Sequence, residues 1–530
     1  MTKTCDRRAF LGMTGVGAAS TQTGASESLL QPDSKNASRR QPNIIIIMTD
    51  QQRADLCRRE NYSLDTTPFL DALAKQGTWF NHAYTTMPAC VPARTSLFTG
   101  RWPSATRVRT NHNVQDAVYE QDLVGVLKAQ GYATALCGKN HSYLDRSRFD
   151  HWFEASHNGG TDAERTAQEK EFDQYLTTLY HRADTQAAPF PLECQIPFRC
   201  VRSAQQFIET IQDRPFFLWL TFPEPHNPYQ VPEPYYSLFP PNKLPPTRTG
   251  AEALAVKGFK FQHTRRLAET AYPDFAATLL RARANYHGML RLIDDQVKRF
   301  VSFLEQKKLR DNTLLVFLSD HGDFAGEYGL MRKGPELPEC LARIPMFFTG
   351  PEVKSSALPS QVCVSLVDVL PTLCEALGIA IPKGVQGRSL WPILTGQDYP
   401  RGEFATSYVE QGFGGLHYDG TDTLDPVKEG AVKPGVVYDE LNSWTQSGTM
   451  RMVRKGDWKL VFDMQGHGQL YNLLKDPAEM NNLFGKVPYR DKQQELLADL
   501  LTWVLRTQDP LPLPRRRYVM KIHPRNYFLP

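Results

Sequence analysis

Five short apolar runs constrain this chain more than any other feature: NIIIIM at 43–48, TALC at 134–137, FFLWLTF at 216–222, LLVFL at 314–318 and MFFT at 346–349. None of them alternates apolar with polar residues. They read as strands covered on both faces, because a half-exposed strand would turn every second side chain to water. Helix signals lie between them. Thr67-Pro68 can cap and start a helix that Gly77 ends, and a second helix fits Asp122 to Gln130, before Gly131. Leu290, Ile293, Val297, Phe300 and Leu304 repeat at helical spacing. Strands alternating with helices predict an α/β fold with a large, mainly parallel sheet flanked by helices.

The residues just past each strand bear on function. The first run ends in Asp50-Gln51, the second in Lys139-Asn140-His141, the third in Glu224-Pro225-His226 and the fourth in Asp320-His321. Parallel strands bring their carboxyl ends to one edge, where open α/β sheets build their sites. Each group taken singly is an ordinary loop segment. Together, carboxylates, histidines and a lysine at one edge predict a metal-assisted, anion-handling site.

From about Arg401 the texture turns to Gly, Asp and Tyr. Three short strands are then expected, at 450–453, 458–462 and 468–471, with an amphipathic helix at 495–506 and a Pro- and Arg-rich tail beyond them. This predicts a smaller C-terminal α+β domain with an antiparallel sheet. The expected division is 1–40 as export signal and linker, 41–400 as catalytic domain and 401–530 as C-terminal subdomain. A chain of 530 residues exceeds one ordinary core, which fits a large domain with a small companion. The stretch from Pro228 to Pro273 lacks periodicity and is expected to be a long surface excursion beside the site.

A net charge of +4 on 61 basic and 57 acidic side chains excludes a nucleic-acid binder driven by phosphate neutralisation. No apolar run reaches the length of a permanent membrane span. At the N-terminus, Asp6-Arg7-Arg8-Ala9-Phe10-Leu11-Gly12 precedes a Gly- and Ala-rich stretch and resembles a twin-arginine export signal. That implies a twin-arginine translocase as partner and a periplasmic or extracellular destination. Nine cysteines include no Cys-x-x-Cys pair; setting Cys5 and Cys90 aside leaves seven, so at least one stays unpaired unless chains link. Cys194 and Cys200 are close enough in sequence for a local bridge.

Cys90-Val91-Pro92-Ala93-Arg94, continuing to Thr99-Gly100-Arg101, resembles the C-x-P-x-R…T-G signature of type I, formylglycine-dependent sulfatases, arylsulfatase-like members of the alkaline phosphatase superfamily. Pro92 suits the first turn of a helix and Gly100 its end, which sets Cys90 at a helix N-terminus, a position that favours anions. Gly131-Tyr132-Ala133-Thr134 through Gly138-Lys139 resembles a second family element. So do His226 in its Pro-His-Asn-Pro-Tyr setting, Ser319-Asp320-His321-Gly322 with Lys333 beyond it, and Leu470-Tyr471-Asn472-Leu473 with Asp476-Pro477.

The resemblance implies an alkaline-phosphatase-like fold, a formylglycine made from Cys90 by a maturation enzyme, and one divalent cation. Asp50, Gln51, Cys90, Asp320 and His321 would hold that cation. Familiar sulfatases carry a second aspartate in place of Gln51 and often an asparagine in place of His321; related bacterial sulfatases and phosphonate monoester hydrolases resemble the version found here. Calcium is the expected ion, and the imidazole ligand also admits manganese. One hydroxyl of the hydrated aldehyde would attack sulfur. Arg94, Lys139 and Lys333 would steady the oxygens, His226 or Lys333 would protonate the leaving oxygen, and His141 would draw the proton from the second hydroxyl. Arg109, His112 and His417 are candidate substrate contacts. The resulting expectation is a sulfatase acting on a sulfated carbohydrate. The alternatives are a phosphonate or phosphate ester hydrolase of the same superfamily and an inactive carbohydrate-binding relative.

Overall fold

The first apolar run divides its side chains between two cores. Ile44, Ile46 and Met48 pack with Phe217, Trp219, Val316 and Leu318, whereas Ile45 and Ile47 pack with Leu218, Leu220, Leu315 and Phe317. This is the period-two geometry of a strand with both faces buried. Full burial of each such side chain contributes about 1.5–3 kcal/mol. The computed structural model describes residues 41–529 apart from 162–163, 181, 212–213, 423–424, 426, 429–431, 434–436 and 509–522. The expected export signal at 1–40 lies outside the described residues, as does much of the Pro- and Arg-rich tail.

The main sheet has eight strands: β1 (Asn43–Thr49), β2 (Thr78–Phe80), β3 (Ala133–Gly138), β4 (His151–Ser156), β5 (Gly159–Gly160), β6 (Phe216–Thr221), β7 (Thr313–Ser319) and β8 (Met346–Thr349). Their spatial order is β2-β8-β7-β1-β6-β3-β4-β5. The five central strands, β7 through β4, run parallel, while β8 is antiparallel to both of its neighbours and β5 to β4. Helix Cys90–Thr99 lies on one face through Ala93, Leu97 and Phe98, with Phe98 edge-on to Trp219 at 4.5 Å. The long helix Phe275–Gln306 covers the other face through Ile293, Val297, Phe300 and Leu304. The expected α/β architecture is thus present, with its strands within a residue or two of the apolar runs.

The helix after Thr67 forms as Pro68–Lys75, but Thr67 makes no side-chain cap. Its first free N–H groups are taken instead by Asp294 of the long helix, which accepts from Phe69 N at 2.9 Å and Leu70 N at 2.7 Å. Asp122 does cap helix Leu123–Ala129, accepting from Gly125 N at 2.8 Å, and also receives Arg148 and the Tyr143 hydroxyl. Asp122→Ala is therefore expected to lower stability by about 1–2 kcal/mol for the cap, and more for the buried partners it strands, as read by denaturant midpoint.

The smaller sheet is antiparallel, in the order β9 (Thr406–Gly414), β10 (Gly448–Lys455), β11 (Trp458–Asp463), β12 (Gly468–Asn472). Helix Arg490–Gln508 covers one face through Leu496, Leu500 and Trp503, while Met450, Met452 and Val461 on the other face meet Tyr84, Leu337 and Ala342 of the main body. Strand β9 has no counterpart among the expected strands. Its Glu410 and Gln411 disguise it, yet Glu410 is buried because it accepts from Ser104 N at 2.9 Å and Ser104 Oγ at 2.7 Å. The stretch 228–273 also differs from expectation: it contains helix Phe259–Ala271, which buries Phe261, His263, Leu267 and Ala268. All eight described cysteines are free and buried, so Cys194 and Cys200 do not bridge. Among the described residues, no helix is long and apolar enough to cross a membrane.

Candidate active site

Cys90 opens helix Cys90–Thr99, and all ten of its residues are buried. Gly100 ends the helix at φ 62°, where a Cβ would come within 2.8 Å of Val385. Both the left-handed backbone and the close approach call for glycine. At the other end, Asn111 Oδ1 accepts from Val91 N at 3.0 Å and satisfies one of the unpaired N–H groups of the first turn.

Strands β1 and β7 deliver Asp50 and Asp320-His321 beside this helix start. Donor atoms of Asp50, Cys90, Asp320 and His321 all lie within 4.8 Å of one another. Cys90 Sγ is 3.2 Å from His321 Nε2 and 3.7 Å from Asp50 Oδ1. His321 turns Nδ1 to Gly322 O at 2.9 Å, so Nδ1 carries the proton and Nε2 faces the cluster as a ligand atom. Two carboxylates, an imidazole nitrogen and the atom at position 90 form a donor set that suits a divalent cation.

Arg94 lies under the cluster with no exposed surface. Its Nε donates to Asp320 Oδ2 at 2.9 Å and Nη2 to Asp50 Oδ2 at 3.1 Å, while Nη1 donates to Lys139 O at 2.8 Å and Thr221 Oγ1 at 3.1 Å. These bonds fix both carboxylates. Lys139, at the end of β3, pairs with Asp50 and stands 4.0 Å from Cys90 Sγ. Burial raises the Asp50 carboxyl, but Lys139, with Arg94 and His321, outweighs it and holds it well below the usual carboxylate range. Asp320 is pushed up by burial and by the Asp50 charge, so of the two it gives up its proton less readily. Burial and Asp50 raise the Cys90 thiol, yet Lys139, Lys333 and His321 bring it well below an ordinary thiol. Burial alone would lower His321, but Asp320 and Cys90 raise it to about 9, so a cation on Nε2 would have to displace a proton from that atom.

Lys333 completes this side. Its Nζ donates to Gln51 Oε1 at 3.2 Å and to His226 Nε2 at 3.0 Å, and it pairs with Glu440 at 3.2 Å. His226 turns Nδ1 to Asn227 O at 2.7 Å, and burial with Lys333 and His157 holds the ring well below its ordinary value, hence neutral. Gln51 has left-handed backbone at φ 69°, as do His141 at 43° and Arg332 at 69°. Non-glycine residues held this way cost about 1–3 kcal/mol each and gather at functional sites. His141 follows Lys139 on the same strand end but is half-buried, with Nδ1 unbonded and Glu154 as its charged neighbour.

Arg109, His112 and His417 have their contacts along one segment of the C-terminal part. Arg109 Nη2 donates to Thr449 Oγ1 at 3.3 Å, His112 lies 3.5 Å from Asp439, and the His417 ring lies against Gly448. That segment also sends Glu440 to Lys333 and packs Leu441 against Met87 and Ala89, just before the nucleophile helix. None of these contacts reaches the cluster: His112 comes nearest, through Asp439 beside Glu440, whereas His417 lines a separate pocket with Lys257, Asp463 and His467.

Three residues at the site escape sequence reasoning. Asp323 accepts from Gln51 Nε2 at 2.5 Å and the Tyr229 hydroxyl at 2.8 Å, which orients the Gln51 amide oxygen toward Lys333; its place in the run Asp320-His321-Gly322-Asp323 is a usable signal. His157 stacks on His226, and Glu440 holds Lys333. No pattern near either residue announces its partner.

A mainly parallel sheet with a carboxylate, imidazole and thiol cluster at the ends of its strands defines a metal-assisted hydrolase of the alkaline-phosphatase-like class. Residues 42–379 match the Sulfatase family profile. The chain belongs to the formylglycine-dependent sulfatase family. It is 26% identical over 493 residues to an arylsulfatase of Clostridium perfringens, covering 85% of this chain and 92% of that one. It is 25% identical over 477 residues to an ulvan-active sulfatase of Formosa agariphila, covering 87% of this chain and 80% of the relative. Among solved structures, the phosphonate monoester hydrolase of Agrobacterium radiobacter shares the fold, with a TM-score of 0.72 at 21% identity over 88% of this chain and 96% of that one.

Proposed function

We propose that this protein hydrolyses a sulfate ester on a carbohydrate, using a formylglycine made from Cys90 and one bound calcium ion. The observation that carries the reading is the convergence of Cys90, at a helix start, with Asp50, Asp320 and His321 under two lysines. Asp50, Asp320, His321, the converted residue 90 and the Gln51 amide oxygen would hold the cation, which when bound supplies charge neutralisation and Lewis acidity. The Cys90 Sγ stands where an oxygen of the hydrated aldehyde would be; that group supplies one hydroxyl to attack and a second to release the product.

The chain's own residues do the rest. Arg94 holds the two carboxylates in place, and Lys139 and Lys333 meet the oxygens of the sulfuryl group as charge shifts onto them. Lys333 Nζ, held in place by its hydrogen bond to the neutral His226 Nε2, gives a proton to the departing alcohol oxygen. His141, whose Nδ1 is unbonded, takes a proton from residue 90 in the release step. Arg109, His112 and His417 are the residues we assign to contact the sugar beyond the sulfate. The ulvan-active relative supports a carbohydrate substrate, and Arg7-Arg8 supports export by a twin-arginine translocase.

Gln51 and His321 favour one second reading, a phosphonate ester hydrolase. Turnover of an aryl sulfate against an aryl phosphonate separates the two, with the sulfate expected to dominate; dominance of the phosphonate would overturn the sulfatase reading. Removing divalent cations with a chelator should abolish turnover and lower the melting temperature, with calcium restoring both. Peptide mass spectrometry across Ala89 to Arg94, in protein made together with a maturation enzyme, should find the aldehyde; an unmodified thiol throughout would sink the mechanism.

A further inference from the structure

A fifth parallel strand also reaches the active edge of the sheet. Strand β4 pairs in parallel with β3, the strand that delivers Lys139, and its chain turns at His157-Asn158 into β5. The turn is anchored from below. Gly160 N donates to Asp173 Oδ2 at 3.2 Å, and Asp173 is itself held by Arg165 and Arg199 at 2.8 and 2.7 Å. At Gly159, with φ 107°, a Cβ would meet Asp173 at 2.2 Å, so the hairpin can seat this deeply only with glycine there.

His157 is the side chain this hairpin presents. Its ring lies nearly parallel to that of His226, with centroids 4.1 Å apart and planes 11° apart, and its Nδ1 is 3.5 Å from Lys139 Nζ. His226 is 5% exposed, while His157 is half-buried. One edge of His226 is tied to Asn227 O and the other to Lys333; the stacked ring adds a constraint on its face. Hydrogen bonds at two edges still let a ring rock about the line that joins them. A parallel ring in van der Waals contact opposes that motion, because tilting breaks the contact along one side.

We propose that His157 is a positioning residue: by stacking, it holds the His226 ring in the plane that keeps Lys333 Nζ placed to protonate the leaving oxygen. This rests on the hydrolytic reading above. The proton travels to the ester oxygen as its bond to sulfur, or to phosphorus, breaks, so its correct placement matters most where the departing oxygen is most basic. A nitrophenolate leaves with little help, whereas an unsubstituted phenolate or a sugar alkoxide needs the proton.

The test is a leaving-group series, from nitrophenyl to phenyl to alkyl esters, with His157→Ala and His157→Phe beside the native protein. His157→Ala should lower kcat about tenfold on the poor leaving groups, a part of the 10²–10⁴-fold that a positioned proton donor provides, while changing the nitrophenyl ester little and KM hardly at all. His157→Phe keeps a ring over His226 and should recover most of the loss. An equal loss across the series, no loss, or a Phe variant that behaves like Ala would each overturn the proposal. The series is run with whichever ester the native enzyme turns over, so a preference for phosphonate would end the sulfatase reading without touching this result. Independently of turnover, the His226 ring-proton resonances should move in His157→Ala and stay near their native positions in His157→Phe; resonances unmoved in the Ala variant would also overturn it.

Discussion

Cys90→Ala is expected to abolish turnover while leaving the protein folded. On the proposed reading residue 90 carries the nucleophile and joins the cation ligands, and loss of such a group typically costs ~10⁴-fold or more. The thiol is buried and packed, so its removal should lower stability by only about 1 kcal/mol. The check is steady-state turnover beside a thermal melt. Retained turnover in Cys90→Ala would contradict the assignment of the nucleophile. Cys90→Ser sharpens the point, because a single hydroxyl can accept the sulfuryl group but has no second hydroxyl with which to release it. That variant should give a stoichiometric burst of phenol and then stop.

Asp320→Ala should lose both activity and stability. Its carboxylate accepts from Arg94 Nε at 2.9 Å, Gln51 N at 3.0 Å and His321 N at 2.9 Å, all in the buried centre of the site. Alanine would leave Arg94 with an uncompensated charge on that side, a defect worth about 3–5 kcal/mol in a buried pair. It would also remove one carboxylate from the cation site, with a loss of at least ~10³-fold in kcat if several kcal/mol of transition-state stabilisation depend on it. Asp320→Asn retains an acceptor and should fall as far in activity but less in stability. The two effects are read separately, by denaturant midpoint and by metal content. An Asp320→Ala protein that binds its cation and turns over normally would remove Asp320 from the centre.

The sheet is legible in the sequence because its central strands are buried on both faces, and such strands show as unbroken apolar runs: NIIIIM and LLVFL need no further help. The groups just beyond those runs are legible for the same reason, since a parallel sheet collects its strand ends at one edge. Strand β9 is not, because its polar Glu410 is buried against partners remote in sequence, Ser104 306 residues away among them. Strand β4 alternates buried with half-buried residues near the sheet's margin, so it lacks the uniform run that marks its neighbours, and His157 is hidden with it. Glu440 comes from a segment without periodicity and takes its meaning from Lys333, which is remote in sequence. Local patterns report burial and turn chemistry; pairings across the fold depend on topology that no single segment contains.

The ten buried residues of helix Cys90–Thr99 also set a schedule. Cys90 is 1% exposed and its helix is packed against the main sheet, so a folded chain offers a modifying enzyme nothing to grip. On the formylglycine reading proposed above, conversion would therefore have to win a race against folding, while the segment is still extended. Each chain that folded first would then be committed as an inert thiol form, and the active fraction of any preparation would record how those two rates compared rather than how stable the finished enzyme is.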